Sequence, residues 1–187
     1  MRRFVPYILF LAVLWVLKAN AQGVGVLTSD QGLSNTCIHS IHEDSYHNVW
    51  ITTRNGLNMY DGARVHNFFQ QEGDSTSLLN NIVTVVTELR PGIQLVGTTV
   101  GLCYFDYSSD RFASVDLINE MGQKVGPRVV DMTRRKDGTI VVMATGINSY
   151  IVKQTPQGIT SSHTQRYAIN RHGAVHYVEG RDGKEWV

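Results

Sequence analysis

A repeat of 45 residues constrains the fold of this chain more than any other feature. Residues 33–61 align without a gap on residues 78–106. The two segments share a strand-like run, a glycine-containing turn and an aromatic-aspartate pair, Tyr60-Asp61 in one and Phe105-Asp106 in the other. A period of about 20 to 50 residues indicates copies of one small structural unit that stack on each other. The chain is therefore expected to have a repeat architecture.

Two further copies follow with weaker similarity. Gly146 lies 45 residues beyond Gly101, and residues 137–142 repeat the turn-then-strand pattern with one residue lost before Gly146. A fourth copy begins at Arg181, and in it Trp186 takes the place of Trp50. These matches place the repeats at about 33–77, 78–122, 123–170 and 171–187, of which the last is truncated.

Each copy reads as four short β-strands. Runs rich in β-branched and aromatic residues, such as 49–53 and 65–69, alternate with Gly, Asn and Asp. Residues 116–124 could form one helical turn, although a loop is the better interpretation. Four strands in about 45 residues are typical of a β-propeller blade, which buries its faces only against other blades. The sequence predicts an all-β fold, an incomplete propeller of three to four blades.

Equivalent positions of the copies are expected to serve the scaffold rather than a ligand. The core between blades is predicted to contain Trp50, Leu95, Val141 and Trp186. Turns with a positive φ, which favours glycine, are predicted at Gly56, Gly101 and Gly146. Side-chain caps of hairpin turns are predicted at Asp61 and Asp106.

The first 21 residues have the composition of a signal peptide. Arg2 and Arg3 precede an uncharged apolar run from Phe4 to Leu17, and Ala19-Asn20-Ala21 matches a cleavage site. The alternative is an uncleaved membrane anchor, but the run is shorter than the roughly 20 residues of a spanning helix. Residues 1–21 are therefore predicted to be removed, so that the exported protein begins at Gln22. Intact-mass analysis would test this cleavage.

Charge and cysteine content give two further expectations. Loss of the signal peptide changes the formal charge from +1 to −2, and the one basic run, Arg134-Arg135-Lys136, ends at a predicted hairpin turn. Nucleic acid is not an expected partner. Cys37 and Cys103 both lie in apolar, strand-like runs. We expect two unpaired core residues, with a disulfide between them as the alternative.

No catalytic, cofactor-binding or metal-binding residue is predicted. His39 and His42 are three apart in a predicted strand and should point to opposite faces, where they cannot share a metal ion. His172 and His176 have no third ligand nearby, and exposed histidines are the better interpretation. No nucleophile elbow, phosphate loop or Cys-His pair has catalytic spacing. Ligand specificity is expected to reside in loop residues that do not repeat.

The first copy has a specific pattern of short motifs. In order, these are Gly32-Leu33-Ser34, Glu43-Asp44, Val49-Trp50-Ile51, Gly56-Leu57-Asn58 and Tyr60-Asp61-Gly62. The pattern resembles the two-component regulator propeller repeat, found in the periplasmic sensor region of hybrid two-component systems of Bacteroidetes. The resemblance extends over nearly all of the chain after the signal peptide and is weakest in the third copy.

Three residues depart from the family's pattern. His47 stands where a turn glycine is usual, Thr52 stands where a glycine commonly follows the strand, and Leu89 replaces the acidic residue equivalent to Asp44 in the second copy. These departures bear on individual blades and leave the family resemblance intact.

The resemblance implies a periplasmic sensor that recognises an oligosaccharide and signals to a histidine kinase beyond these residues. It also implies that the full-length receptor is a homodimer, and that this segment packs against the remaining blades of the same chain. The alternative is a secreted propeller enzyme, such as a polysaccharide or lactone-type lyase. A membrane span and a kinase motif farther along the gene would favour the sensor.

The count of blades predicts the front part of a longer chain. Three copies and part of a fourth are fewer than the blades of most propellers. Val24 to Thr28 is predicted to be a strand that completes a blade whose other strands lie at the far end of the protein.

Overall fold

The computed structural model describes residues 26–146, 148–164, 178–180, 182 and 184–186. The predicted signal peptide, the new terminus at Gln22, and His172 and His176 lie outside these residues. In the part of the chain that is described, no helix has the length and apolarity to cross a membrane.

Three four-stranded antiparallel sheets, each with its strands in chain order, form the described fold. Blade 1 contains β1 (Ile38–Glu43), β2 (Val49–Thr53), β3 (Leu57–Tyr60) and β4 (Val65–Phe68). Blade 2 contains β5 (Val83–Arg90), β6 (Ile93–Thr98), β7 (Gly101–Asp106) and β8 (Arg111–Val115). After the hairpin of β9 (Leu117–Ile118) and β10 (Lys124–Val125), blade 3 contains β11 (Val129–Arg134), β12 (Ile140–Ala144), β13 (Asn148–Thr155) and β14 (Gly158–Thr164). The prediction of all-β propeller blades is confirmed.

Short elements account for the remaining secondary structure. A 3-10 helix spans Ser29–Gln31, and β15 (Val178–Glu179) pairs with β16 (Glu185–Trp186). The helical alternative for residues 116–124 is wrong, because Asn119 Oδ1 accepts the backbone N–H groups of Met121 and Gln123 and closes the β9–β10 hairpin instead.

The strand expected at Val24 to Thr28 is not formed by the described residues Val26 to Thr28. The carbonyl of Thr28 accepts hydrogen bonds from the backbone N–H groups of Gln31 and Leu33. These bonds turn the chain into the 3-10 helix, so the backbone here makes local bonds rather than a sheet ladder.

The core lies between the blades, as the repeat requires. Trp50 is fully buried and belongs to the cluster between blades 1 and 2, together with Val83, Val96 and Phe105. Leu95, the equivalent residue of blade 2, is also fully buried but belongs to the cluster between blades 2 and 3. Each blade thus turns this position towards the next blade. Val141 is fully buried as well. Burial is therefore confirmed for these three positions, and a place in the core between blades for Trp50 and Leu95; the side chain of Trp186 lies outside the described part.

Turn residues of the repeat behave as predicted. The φ angles at Gly56, Gly101 and Gly146 are 104°, 140° and 80°, in the region that side chains disfavour. Asp61 Oδ1 accepts the backbone N–H groups of the two turn residues at 2.8 Å, and Asp106 Oδ1 accepts that of Ser108 at 2.8 Å. Both aspartates therefore cap their hairpin turns.

Gly97 lies where blades 2 and 3 approach each other closely. A Cβ atom at this position would be 2.6 Å from Val129 Cγ1 and 2.9 Å from Val85 Cγ1. Blade 1 accommodates Thr52 at the equivalent position, where its Oγ1 accepts the backbone N–H of Ser40 at 2.8 Å. The departure of Thr52 from the family's glycine is thus compatible with the sheet.

We expect Gly97→Ala to destabilise the protein by about 1–3 kcal/mol, because overpacking forces the blades apart. Urea unfolding measures the loss. In the double variant Gly97→Ala/Val129→Ala, removal of the valine methyl groups should relieve the clash. Its destabilisation should therefore be smaller than the sum of the two single effects. Strict additivity would contradict the crowding explanation.

His47 occupies the turn between β1 and β2 with φ 63°, in the left-handed region. The equivalent turn of blade 2 has Gly92 with φ 84°. The imidazole Nδ1 contacts Glu43 Oε1 at 2.7 Å, but both side chains are exposed, and exposed pairs contribute little. The turn therefore has the left-handed backbone conformation that glycine favours, although the residue is a histidine.

Because a side chain disfavours this conformation, His47→Gly should melt about 2–4 °C above His47→Ala. Both variants lose the Glu43 contact, so their comparison isolates the backbone effect. Differential scanning calorimetry measures the two melting temperatures. An alanine variant as stable as the glycine variant would show that the turn changes conformation on substitution.

Two side-chain predictions need correction. Both cysteines are unpaired, as expected, but only Cys103 is buried, and burial raises the pKa of its thiol to about 12. Cys37 is exposed because it precedes β1, in a turn where its backbone N–H is held by Asn35 Oδ1 at 2.8 Å. The prediction of a core residue is wrong for Cys37.

The prediction that His39 and His42 point to opposite faces is also wrong. His39 Nδ1 donates to the carbonyl of Val83 at 2.6 Å, and His42 Nε2 accepts the backbone N–H of Glu88 at 3.1 Å. Both side chains therefore face β5. A β-bulge between Ile38 and Ser40 adds one residue to β1 and shifts the alternation. Burial lowers the pKa of His42, consistent with a neutral acceptor.

Candidate ligand-binding face

The blades present two faces with loops of different length. Because the strands are antiparallel, successive loops alternate between the two faces. The hairpin face carries the turns 44–48, 61–64, 91–92, 107–110, 135–139 and 156–157. The linker face carries the starts of the first strands, the turns 54–56, 99–100 and 145–146, and the two linkers 69–82 and 116–128. The longest described loops thus lie on the linker face, and long loops on a rigid scaffold commonly bind ligands.

One backbone hydrogen bond recurs on the linker face of all three blades. The N–H of Arg54 donates to Cys37 O at 3.0 Å, that of Thr99 to Ile82 O at 3.2 Å, and that of Thr145 to Arg128 O at 2.9 Å. Each bond joins the residue before the first strand to the residue after the second strand. We call the resulting set the arc positions: Cys37, Arg54, Ile82, Thr99, Arg128 and Thr145.

Polar residues that repeat between the blades hold the arc positions in place. Asn35 and Asn80 are equivalent, and the Oδ1 of each accepts the backbone N–H two residues farther on, at 2.8 and 2.9 Å. Asn80 Oδ1 also accepts the hydroxyl of Thr99 at 3.0 Å. The N–H of Gly56 donates to Asn81 O at 2.7 Å, which joins the turn of blade 1 to the linker before blade 2. The backbone of this face is therefore built and fixed by the repeat.

The side chains at the arc positions differ between the blades, except that Thr99 and Thr145 are the same. Blade 1 supplies a cysteine and an arginine. Blade 2 supplies an isoleucine and a threonine, and blade 3 an arginine and a threonine. Arg54 and Arg128 are both exposed. Within the described residues, neither guanidinium makes a hydrogen bond or an ion pair, so both are available to a ligand with hydroxyl or carboxylate oxygens. The linker face thus combines a shared backbone with variable chemistry.

Sequence comparison of the repeats contained a signal for these residues that the prediction did not use. Positions 37, 82 and 128 differ between all three copies, and Arg54 differs from Thr99 and Thr145, although the residues around them repeat. His39 and His42, in contrast, bond to the backbone of β5 and take no part in the arc. Among the described residues, no three His, Cys, Asp or Glu side chains form a group that could hold a metal ion.

A buried carboxylate on the hairpin face has a different role. Asp44 is 4% exposed and accepts four hydrogen bonds, from Trp50 Nε1 at 2.8 Å, the Tyr107 hydroxyl at 2.6 Å, and the backbone N–H groups of Tyr46 and Asn48. Burial by itself raises the pKa of Asp44, but these hydrogen bonds outweigh burial and lower it. The carboxylate is saturated with donors, so it joins blade 1 to blade 2 and is not free for chemistry.

Comparison with known proteins agrees with this architecture. Residues 32–55 match the family model of the two component regulator propeller. The structure is similar to the extracellular domain of the hybrid two component system BT3049 from B. thetaiotaomicron, with a TM-score of 0.70 and 22% identity over 86% of this chain and 23% of that chain. It is also similar to the extracellular domain of BT4673 from the same organism, with a TM-score of 0.61 and 18% identity over 81% of this chain and 19% of that one.

The family match identifies the repeat type of residues 32–55, and the similarity to the two solved structures shows the fold. The chain spans less than a quarter of the length of the two extracellular domains. No curated protein shows a significant sequence match. The resemblance of the first copy to the two-component regulator propeller repeat is confirmed.

Proposed function

We propose that this chain, which carries a two-component regulator propeller repeat, is the N-terminal ligand-sensing segment of a periplasmic receptor. Its ligand is an oligosaccharide derived from a glycan, and the receptor signals, as a homodimer, to a histidine kinase beyond these residues. The match of residues 32–55 and the similarity to extracellular domains of hybrid two-component systems support the sensor role. A sensor differs from a carrier in that its ligand must change a downstream equilibrium.

The arc positions are the observation that carries this proposal. Six side chains of three different blades lie on one face, on a backbone fixed by recurring hydrogen bonds. Such preorganisation lowers the entropy lost on binding, because only side chains need to be ordered. An oligosaccharide that extends from blade 1 to blade 3 would contact Arg54 and Arg128 through its hydroxyl or carboxylate oxygens. Binding across blades would favour one relative arrangement of the blades over others.

Calorimetric titration of the exported protein with oligosaccharide digests of neutral and uronate-containing polysaccharides tests the proposal. We expect one digest to bind, and Arg54→Ala and Arg128→Ala each to weaken that binding by at least about tenfold. The matched control is Arg90→Ala, which removes an exposed arginine at the hairpin face.

Two outcomes would overturn the assignment. Binding that is unchanged in both arc variants would place the ligand elsewhere. Depolymerisation of a digest without stoichiometric binding would favour the secreted enzyme over the sensor. A transcriptional reporter in the native host adds a readout of signalling, and it should lose its response in the same two variants.

A further inference from the structure

The linker 69–82 lines one side of a groove between the outer edges of blades 1 and 2. Its backbone follows the edge of β8, where the N–H of Phe112 donates to Thr76 O at 2.9 Å. On the blade 1 side of the linker lies a cavity of about 330 Å³, lined by the end of β4, by the linker and by residues 110–112. This volume falls near the lower end of the range for small-molecule sites.

Phe69 gives the groove an exposed aromatic wall. Its neighbour Phe68 packs against Phe112 at a centroid distance of 5.5 Å and belongs to the inter-blade core, whereas Phe69 is 40% exposed. The Phe69 ring packs directly against Gly56, because a Cβ atom on that glycine would be 2.7 Å from the ring. A fixed aromatic surface in a cavity offers a flat apolar area at a low cost in conformational entropy.

The polar lining of the groove has unused hydrogen-bonding capacity. Gln71 contributes an amide, Asp110 a carboxylate and Arg111 a guanidinium. Within the described part of the chain, none of these three side-chain groups makes a hydrogen bond or an ion pair. Amide and carboxylate groups beside one aromatic face match a ligand that has adjacent hydroxyl groups on one side and C–H bonds on the other.

We propose that this groove binds one neutral pyranose ring of a saccharide, with the C–H face of the sugar on Phe69 and vicinal hydroxyls on Gln71 and Asp110. The proposal deepens the proposed function, on which it rests for the class of ligand, and adds a subsite distinct from the arc positions. The charged residues that line the cavity, Asp74, Asp110 and Arg111, sum to −1, which disfavours a carboxylate ligand.

Saturation-transfer NMR with the methyl glycosides of glucose, galactose and mannose tests the subsite on the exported protein. We expect at least one glycoside to bind, and Phe69→Ala and Asp110→Asn each to weaken it by about tenfold or more. Asparagine tolerates the left-handed backbone that Asp110 adopts, with φ 55°, so the second variant keeps the turn. The matched aromatic control is Tyr46→Ala, which removes an exposed ring on the hairpin face and should bind as the parent does.

The outcomes separate the groove from the arc. If arc variants abolish oligosaccharide binding while Phe69→Ala and Asp110→Asn bind normally, the groove proposal is overturned and the sensor proposal stands. If a glycoside binds and only the groove variants lose it, the groove stands and the arc assignment is wrong. If no glycoside gives saturation transfer, the groove does not bind sugar.

Discussion

Replacing Trp50 with alanine is expected to lower the free energy of unfolding by about 3 to 5 kcal/mol, the usual cost of deleting a buried aromatic side chain. The indole is fully buried and lies against the rings of Phe68, Phe105 and Tyr107 at centroid distances of 5.8, 5.4 and 6.0 Å. The substitution also removes the indole N–H (Nε1) that donates a hydrogen bond to the Asp44 carboxylate. Stability should therefore fall through both a cavity and a lost hydrogen bond.

Urea unfolding of the protein from Gln22 onward measures this loss, with Met121→Ala as the control. Met121 is 82% exposed, so its truncation should change stability little. Ligand affinity, measured where the protein remains folded, should be retained. A Trp50→Ala variant that unfolds like the parent but no longer binds ligand would instead place Trp50 in the binding site.

The second large effect is expected at the contact between Asp44 and Tyr107, because it joins two blades. Asp44→Asn and Tyr107→Phe should each destabilise the protein. In a double-mutant cycle the pair should show a coupling of about 1.5 to 3 kcal/mol, as for a hydrogen bond to a charged group. A coupling near zero would mean that the contact contributes nothing to the joint between the blades.

The stabilisation that Asp44 provides should also depend on pH. Because the pKa of Asp44 in the folded protein lies below the ordinary value of 3.8, the ionised carboxylate stabilises the fold above that value. This contribution is lost as the pH falls through the folded pKa. The difference between the parent and Asp44→Asn should therefore shrink in acid. At the exposed hairpin turn of Asp137, hydrogen bonds from Thr139 also lower the pKa of the carboxyl, so Asp137→Asn shows how much of the pH dependence arises from turn capping alone.

Sequence periodicity predicted most of the scaffold because the scaffold is what repeats. Trp50 and Leu95 had to be buried, since the same position of every blade faces a neighbour. His39 was assigned to the wrong face because one extra residue in β1 reverses the alternation, and a bulge has no reliable mark in the sequence. Cys37 was misplaced because a strand's first residues can lie in a turn even where the run is apolar.

The candidate site was harder to predict for the opposite reason. Alignment of the repeats identifies the residues that the blades share. The proposed ligand-binding residues are at positions that vary between the blades, so the alignment does not identify them. The groove adds a second difficulty: Phe69 and Asp110 are 41 positions apart in sequence and line the same cavity only because of the path of one linker. No local pattern contains that path.

The hydrogen bond shared by the arc positions has a consequence for how such receptors diversify. Because its donor and acceptor are backbone atoms, any residue can occupy the acceptor end, and any residue except proline the donor end, without breaking it. If the arc positions bind the ligand as proposed, a gene segment that encodes one blade carries two recognition residues on a backbone that does not depend on their identity. Duplication or recombination of whole blades would change ligand preference two side chains at a time, while the folding of the new blade remains secured by its neighbours.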